Sequence, residues 1–402
     1  MNYKNAWILS IAMVLVGILA APALAGPIWK FGPEDQGLLK LDYKAQFRLS
    51  NRDTGSEPDG EGDTAEFNFR RNRLALMGAY GQHFGLYVQT SFQEDRNIGP
   101  LSVTDGNYSD FQILDAVMRF RHDNRMNFWL GKFKQVLTRE NLEACYAPLT
   151  LDRSSFIQPP LSSEGTRDKG AEFWGNLFED RFQYRVAVMN GRNDSVSSPE
   201  SNFRYTARAH VSLLDPEKNH GYKGTYMGKK KVLTLGAGYQ MENEVAFSDV
   251  ANQTGAVDYT GWTADLFFEY PVEEMGTFTV SGAYADYDLD DAYQGADPDA
   301  AIIGYNGVNG EKNGGYAKIG YMLPAMPLQF FARGENWSFA DLQGVNDQEL
   351  DWYGAGFNYY FRGQNLKLTV EYSQADFDQE GTFGGFETED FNTLNAQMQL
   401  TF

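Results

Sequence analysis

Lysines and arginines recur four residues apart in several short stretches: Lys40, Lys44 and Arg48, then Arg181 and Arg185, then Arg204 and Arg208. Arg119 and Arg121 lie two apart, and Arg333 stands singly among alternating residues. In an extended chain, successive side chains point to opposite faces, so even spacings gather each set on one side of a strand. Arg71 and Arg73 are assigned to the same face, although the stretch that carries them alternates poorly. Guanidinium groups are planar, permanently charged donors that suit oxyanions. Rows of arginine and lysine along a wet surface are the chemistry of anion selection, because an ion can be passed from one site to the next. Asp42, Asp115, Asp265, Glu269, Glu335 and Glu371 share the inward parity. The surface is therefore mixed, and opposed charges setting a transverse field is the competing reading.

Other chemistries find little support. A covalent enzyme needs a nucleophile with a base in reach. His83, His122, His210 and His220 are scattered, and no G-x-S-x-G segment accompanies them. The single Cys145 excludes an internal disulfide framework. No C-x-x-C pair or C-x-x-C-H segment is present. No catalytic site, metal, cofactor or nucleic-acid partner is expected.

The elements that must position the basic residues are strands. The clearest is Leu394, Ala396, Met398, Leu400 and Phe402 alternating with Asn395, Gln397, Gln399 and Thr401. Strands are expected near 38–50, 66–80, 84–95, 111–122, 126–136, 168–177, 181–190, 203–214, 231–242, 259–270, 276–287, 314–323, 327–338, 350–361, 365–375 and 391–402. Each is close to the length a tilted strand needs to cross an outer membrane. Short links, such as Gly81-Gln82-His83 and Arg362-Gly363-Gln364, alternate with long ones, such as 51–65, 96–110, 243–258 and 288–313. Apolar-out, polar-in strands with short turns on one rim and long loops on the other describe a sixteen-stranded antiparallel up-and-down transmembrane β-barrel. Sixteen strands enclose a channel rather than a filled core. One link breaks the rhythm: Asp215 to Lys230 is long where a short turn is due.

The third long loop, from Val136 to Arg167, carries Arg139, Cys145, Asp152 and Arg153 with Leu149, Leu151, Phe156 and Ile157, and Pro159-Pro160 stiffens its exit. So many apolar groups suit a loop folded inward as a constriction, where they are covered. Capping the outer surface or packing on a neighbouring subunit are the alternatives. Ser154-Ser155 beside Asp152 reads as hydrogen bonding within this constriction loop.

Composition agrees with a barrel. Aromatics make up 15% of residues, with 23 Tyr, 29 Phe and 41 Gly, yet the mean hydropathy is negative. Aromatic girdles, a crowded barrel wall and polar loops account for all of these together. The formal charge is −20, but 18 of the 34 Lys and Arg fall between Lys30 and Lys169. Acidic residues gather in loop stretches at 53–66, 286–299 and 380–390, which read as solvated loops. A second role there is to hold divalent cations that bridge lipopolysaccharide phosphates. Lys4, the apolar run Ala6 to Ala21 and the small residues Ala23 and Ala25 describe a secretory signal peptide over 1–25, leaving 26–402 as the barrel in a Gram-negative outer membrane.

Six segments, taken as a set, resemble the phosphate-selective porin O and P family. They are Phe69-Arg70-Arg71-Asn72-Arg73-Leu74-Ala75-Leu76-Met77-Gly78, Leu130-Gly131-Lys132-Phe133-Lys134, Leu151-Asp152-Arg153-Ser154, Arg167-Asp168-Lys169-Gly170, Val188-Met189-Asn190-Gly191 and Phe357 to Lys367. The resemblance implies a sixteen-stranded porin, usually a homotrimer, with an inward third loop and a lumen whose arginines and lysines draw small anionic solutes, phosphate among them. The expected function is passive diffusion of small hydrophilic anions across the outer membrane. The alternative is a barrel that sheathes a multihaem periplasmic cytochrome in an electron conduit, which would need no haem motif of its own.

Overall fold

In the computed structural model, the described residues are 26–57, 60–92, 111–154, 157, 159–162, 165–192, 198–249, 252–289, 311–339, 348–379, 381–383 and 386–402. The expected leader at 1–25 lies outside them, as do Ser155 and Phe156 and most of the 286–299 acidic stretch. No helix among the described residues is long and apolar enough to cross a membrane.

The strands are β1 (Ile28–Phe31), β2 (Gly37–Ser56), β3 (Gly62–Tyr80), β4 (Phe84–Phe92), β5 (Phe111–Arg121), β6 (Asn127–Lys134), β7 (Arg167–Leu177), β8 (Phe182–Met189), β9 (Arg204–Ser212) and β10 (Val232–Asp249). They continue with β11 (Thr254–Val272), β12 (Gly276–Asp288), β13 (Lys312–Met322), β14 (Leu328–Phe339), β15 (Gln348–Tyr360), β16 (Leu366–Phe377), β17 (Gly381–Phe383), β18 (Phe386–Thr388) and β19 (Phe391–Thr401). Each strand from β2 to β15 pairs antiparallel with its successor, and β16 pairs with β19. β19 returns to β2 and closes a ring of sixteen strands. Tyr43 and Phe402 exchange two backbone hydrogen bonds at that seam, at 2.9 and 3.0 Å. Closure matters because an open edge would present unpaired N–H and C=O groups to lipid.

Alternation sets the faces. On β19, Asn395, Gln397 and Gln399 are at most 3% exposed, while Leu394 is 51% exposed. The outer surface carries Phe67, Ile113, Met118, Val186, Ile319 and Tyr353. Rings gather near the short turns, where Phe84 meets Phe120, Phe278 meets Tyr321 and Tyr43 meets Phe402. Such a band suits the membrane interface.

Two stretches read as loops are strand. β2 and β3 extend through 51–56 and 62–65, and β10 and β11 pair as far as Asp249 and Thr254. Bulges let the ladders resume there: the register of β10 shifts between Glu242 and Ala246, and that of β2 between Arg52 and Ser56. Three short strands went unanticipated. β1 pairs with the start of β2, beyond the end of β19, and β17 and β18 form a hairpin in the last long loop. Gly131 shows how tightly the wall is packed at one of the sequence motifs. Its φ is +126°, and a Cβ there would sit 2.0 Å from the Ala116 carbonyl oxygen, so only glycine fits.

Candidate functional site

The basic residues divide by where their charge goes. Around β7 to β16 they meet carboxylates. Arg204 Nε lies 2.6 Å from Glu242, and Arg208 Nη1 lies 2.7 Å from Asp265. Arg185 is 3.6 Å from Glu172. Arg333 stacks on Trp352 and lies 3.5 and 3.8 Å from Glu335 and Glu371. Near the start of β2, Lys40 pairs with Asp42 at 2.7 Å.

The segment 135–154 bonds to side chains of β2, β3, β13, β14 and β16 on one arc and of β9 and β10 on the other. Its short helix, Arg139–Leu142, is capped by Thr138, whose side chain accepts from the Asn141 N–H. Asp152 accepts from Arg48 at 2.5 Å, Arg70 at 3.0 Å and Arg71 at 3.4 Å, and Arg333 donates to its carbonyl at 3.1 Å. Burial alone would raise the Asp152 carboxyl, but the three guanidinium groups outweigh it and hold it far below the ordinary carboxylate range. Leu151 N–H donates to Glu371 at 2.8 Å, Ser154 Oγ donates to Glu335 at 2.6 Å, and Lys318 pairs with Glu140. Arg153 turns back onto the segment, donating to the carbonyls of Glu140 and Asn141.

The long link between β9 and β10 has a structural partner. Arg139 grips Glu217 with two hydrogen bonds, 2.7 and 2.8 Å, and stacks between Tyr222 and Phe267. Glu143 bridges Tyr222 in a parallel pairing, and Gly224 N–H donates to the Ala147 carbonyl at 2.9 Å. Burial tends to raise the Glu217 carboxyl, yet Arg139 and the Tyr226 hydroxyl hold it down at about 2. The extra length of 215–230 thus builds a second layer against the third loop.

A cavity of about 360 Å³ separates residues 142–146 from the buried faces of β2 to β6. Lys44, Arg73, Arg119 and Lys134 line it, and among its described lining residues Asp115 is the one carboxylate. Asp115 is already committed to Arg167 at 3.2 Å. Lys44 Nζ lies 5.7 Å from the Tyr146 ring, and Lys134 donates to the Glu143 carbonyl at 2.8 Å. Arg119 is held between the Tyr87 and Trp129 rings, at 4.7 and 4.3 Å. His220 stacks on Trp129 at 3.7 Å; burial, more than the opposing Glu172, sets its imidazole at about 4, so it is neutral at pH 7. Cys145 is buried at the rim, with Lys134 Nζ 3.8 Å from its sulfur.

Of the basic residues singled out by spacing, Lys44, Arg73 and Arg119 meet at this cavity, whereas Arg48, Arg71 and Arg333 meet at Asp152. Arg185, Arg204 and Arg208 stay on the paired wall. Arg121 and Arg181 join neither group. They share the inward parity, but Arg121 ends β5 and Arg181 lies in the turn before β8, where both are exposed. Arg181 spends its donors on the carbonyls of Ser212, Leu213 and Leu214. Spacing missed Arg70, Lys134, Arg167 and Glu217. Arg70 is the instructive case: Gln46 faces Arg71 while Phe47 faces Phe69, so Arg70 is the extra residue of a β-bulge. The bulge brings two successive arginines to Asp152, and the broken alternation of Phe69-Arg70-Arg71 was its trace in the sequence.

A closed barrel with an apolar exterior and a charged, partly open interior defines a transmembrane channel protein. The sequence profile of the family described as phosphate-selective porin O and P matches residues 41–402, and the chain belongs to that family. It is thus an outer-membrane porin, a channel rather than an enzyme. The fold is similar to that of the anion-selective porin from Comamonas acidovorans, at 11% identity and TM-score 0.58 over 91% of this chain and 100% of that one. It is also similar to the outer-membrane channel DcaP of Acinetobacter baumannii, at 17% identity and TM-score 0.56 over 94% and 100%. OmpF of Salmonella typhi gives 10% identity and TM-score 0.58 over 92% and 100%. At such identities the likeness is one of fold alone. No curated protein matches the sequence.

Proposed function

We propose that this porin passes small hydrophilic anions, oxyanions such as phosphate among them, through a lumen narrowed by its third loop. The observation that carries the reading is the cavity beside the loop, where Lys44 and Arg119 line the open space and Asp115, the one carboxylate among its described lining residues, is occupied by Arg167. A surplus of fixed positive charge along the open route raises the local anion concentration and excludes cations. The arginines paired with Glu172, Glu242 and Asp265 contribute little net field; they shape the wall. Inward folding of residues 135–154 is supported by their bonds to β2, β3, β14 and β16 along one arc of the ring and by the Arg208 hydrogen bond to the Leu137 carbonyl from β9 across it. Those bonds also argue against a sheath for a cytochrome, because the chain's own segments cross the interior. The homotrimer rests on family resemblance, and cleavage after Ala25 on the leader's pattern.

The deciding experiment is the reversal potential of the purified protein in planar bilayers under a KCl gradient. A chloride-favouring potential that inorganic phosphate reduces is the expected result. A potassium-favouring potential would mean that carboxylates and acidic loops govern the pore, and the anion reading would fall. N-terminal sequencing of the mature protein and its mass in mild detergent check the leader and the trimer.

A further inference from the structure

We propose that the cavity at Arg119 is a binding site for small arenecarboxylates, and that these are a preferred solute class of the pore; the inference rests on the anion-pore reading above. Arg119 is its anchor. The Tyr87 and Trp129 rings clamp the guanidinium on two sides, and among the described residues it has neither a hydrogen bond nor an ion pair. Its Nε is buried without a partner. A planar cation held in place with no carboxylate in direct contact is poised to take one through two parallel hydrogen bonds. Lys44 adds a second positive charge across the same space.

Part of the lining offers a bare inorganic oxyanion nothing to bond. Phe133, Leu142 and Tyr146 offer apolar surface where phosphate would need donors on every side. The volume, about 360 Å³, is far more than one tetrahedral ion fills and falls within the roughly 300–1,000 Å³ typical of organic-ligand pockets. A ring carrying one carboxylate satisfies both halves of the cavity: its charge meets Arg119, and its body packs edge-to-face on the rings.

The test is block of KCl current through the reconstituted porin by benzoate, compared with acetate, inorganic phosphate and neutral benzamide. Benzoate is expected to reach half-block at a concentration at least tenfold below acetate and phosphate, with no block by benzamide. Arg119→Gln and Phe133→Ala should each raise the benzoate value tenfold or more, and Arg181→Gln, in its distant turn, should leave it unchanged. Heat-modifiable migration on gels confirms that each variant is folded, and Leu142→Asn substitutes should Phe133→Ala not fold. A chloride-favouring pore that benzoate blocks no better than acetate or phosphate overturns the arenecarboxylate site and leaves the anion pore standing. A potassium-favouring pore overturns the anion reading instead. Benzoate quenching of tryptophan fluorescence, lost in Arg119→Gln, then upholds the site, and absence of quenching removes it.

Discussion

Two sides of the same inner wall treat positive charge in opposite ways. From β7 to β16, the arginines lie against carboxylates, with Arg204 on Glu242 and Arg208 on Asp265 at 2.6 and 2.7 Å. From β2 to β6, Arg48 and Arg71 are held on Asp152, but Lys44 and Arg119 line open space, and Asp115 is occupied by Arg167. The two regions look alike in sequence, each a run of arginines two or four apart. The difference teaches that counting inward cations overstates a pore's selectivity. A buried pair is close to neutral at a distance, and it holds structure at the expense of field. The cations without carboxylate partners are the ones a passing ion feels.

The largest effect should come from breaking the shared anchor. Asp152→Asn leaves Arg48, Arg70 and Arg71 facing one another without their carboxylate, a loss on the order of 3–5 kcal/mol for a buried charge network. The third loop should come away from the wall, and single-channel conductance should rise several-fold; unchanged conductance would show that the loop is held by other contacts. Next, Lys44→Gln with Arg119→Gln should shift the reversal potential strongly towards potassium. The neutral double replacement of Arg204→Gln with Glu242→Gln should scarcely move it. Equal shifts from both would erase the contrast between the two walls.

Acid should act on the paired side first. The folded Glu217 carboxyl sits at about 2, below its ordinary 4.5. A depressed carboxylate stabilises the fold fully above its unfolded pKa and loses that contribution as pH falls towards the folded one. The shift corresponds to about 3 kcal/mol. Between pH 4.5 and 2, the link should therefore loosen from Arg139, and tryptophan fluorescence should change in the wild type more than in Glu217→Gln. The smallest effect should follow Arg70→Ser. It removes one of three arms from Asp152 and, at roughly 1–2 kcal/mol for one charged hydrogen bond, should lower thermal stability by a few degrees without altering ion preference.

Period-two alternation and the rhythm of short and long links were enough to place all sixteen ring strands, because a barrel wall between lipid and water imposes its two faces residue by residue. The errors fell where that constraint lapses. Beyond the membrane, 246–249 and 254–257 still pair although the pattern no longer alternates cleanly, since the bulge after Glu242 changes which residues share a face. Parity put Lys44, Arg48 and Arg119 on one face, where Arg48 is buried and Lys44 and Arg119 half-buried, but it was blind to strand ends, and so it included the exposed Arg121 and Arg181.

The sequence by itself determined the barrel, its two faces and the set of charges available to the interior, because those follow from local periodicity. Which charges remain open to a solute was decided only in three dimensions. Asp152 lies 104 residues from Arg48, and Glu217 lies 78 from Arg139. Whether a cation is neutralised depends on which carboxylate the closed ring brings within about 4 Å of it, and no spacing along the chain records that distance.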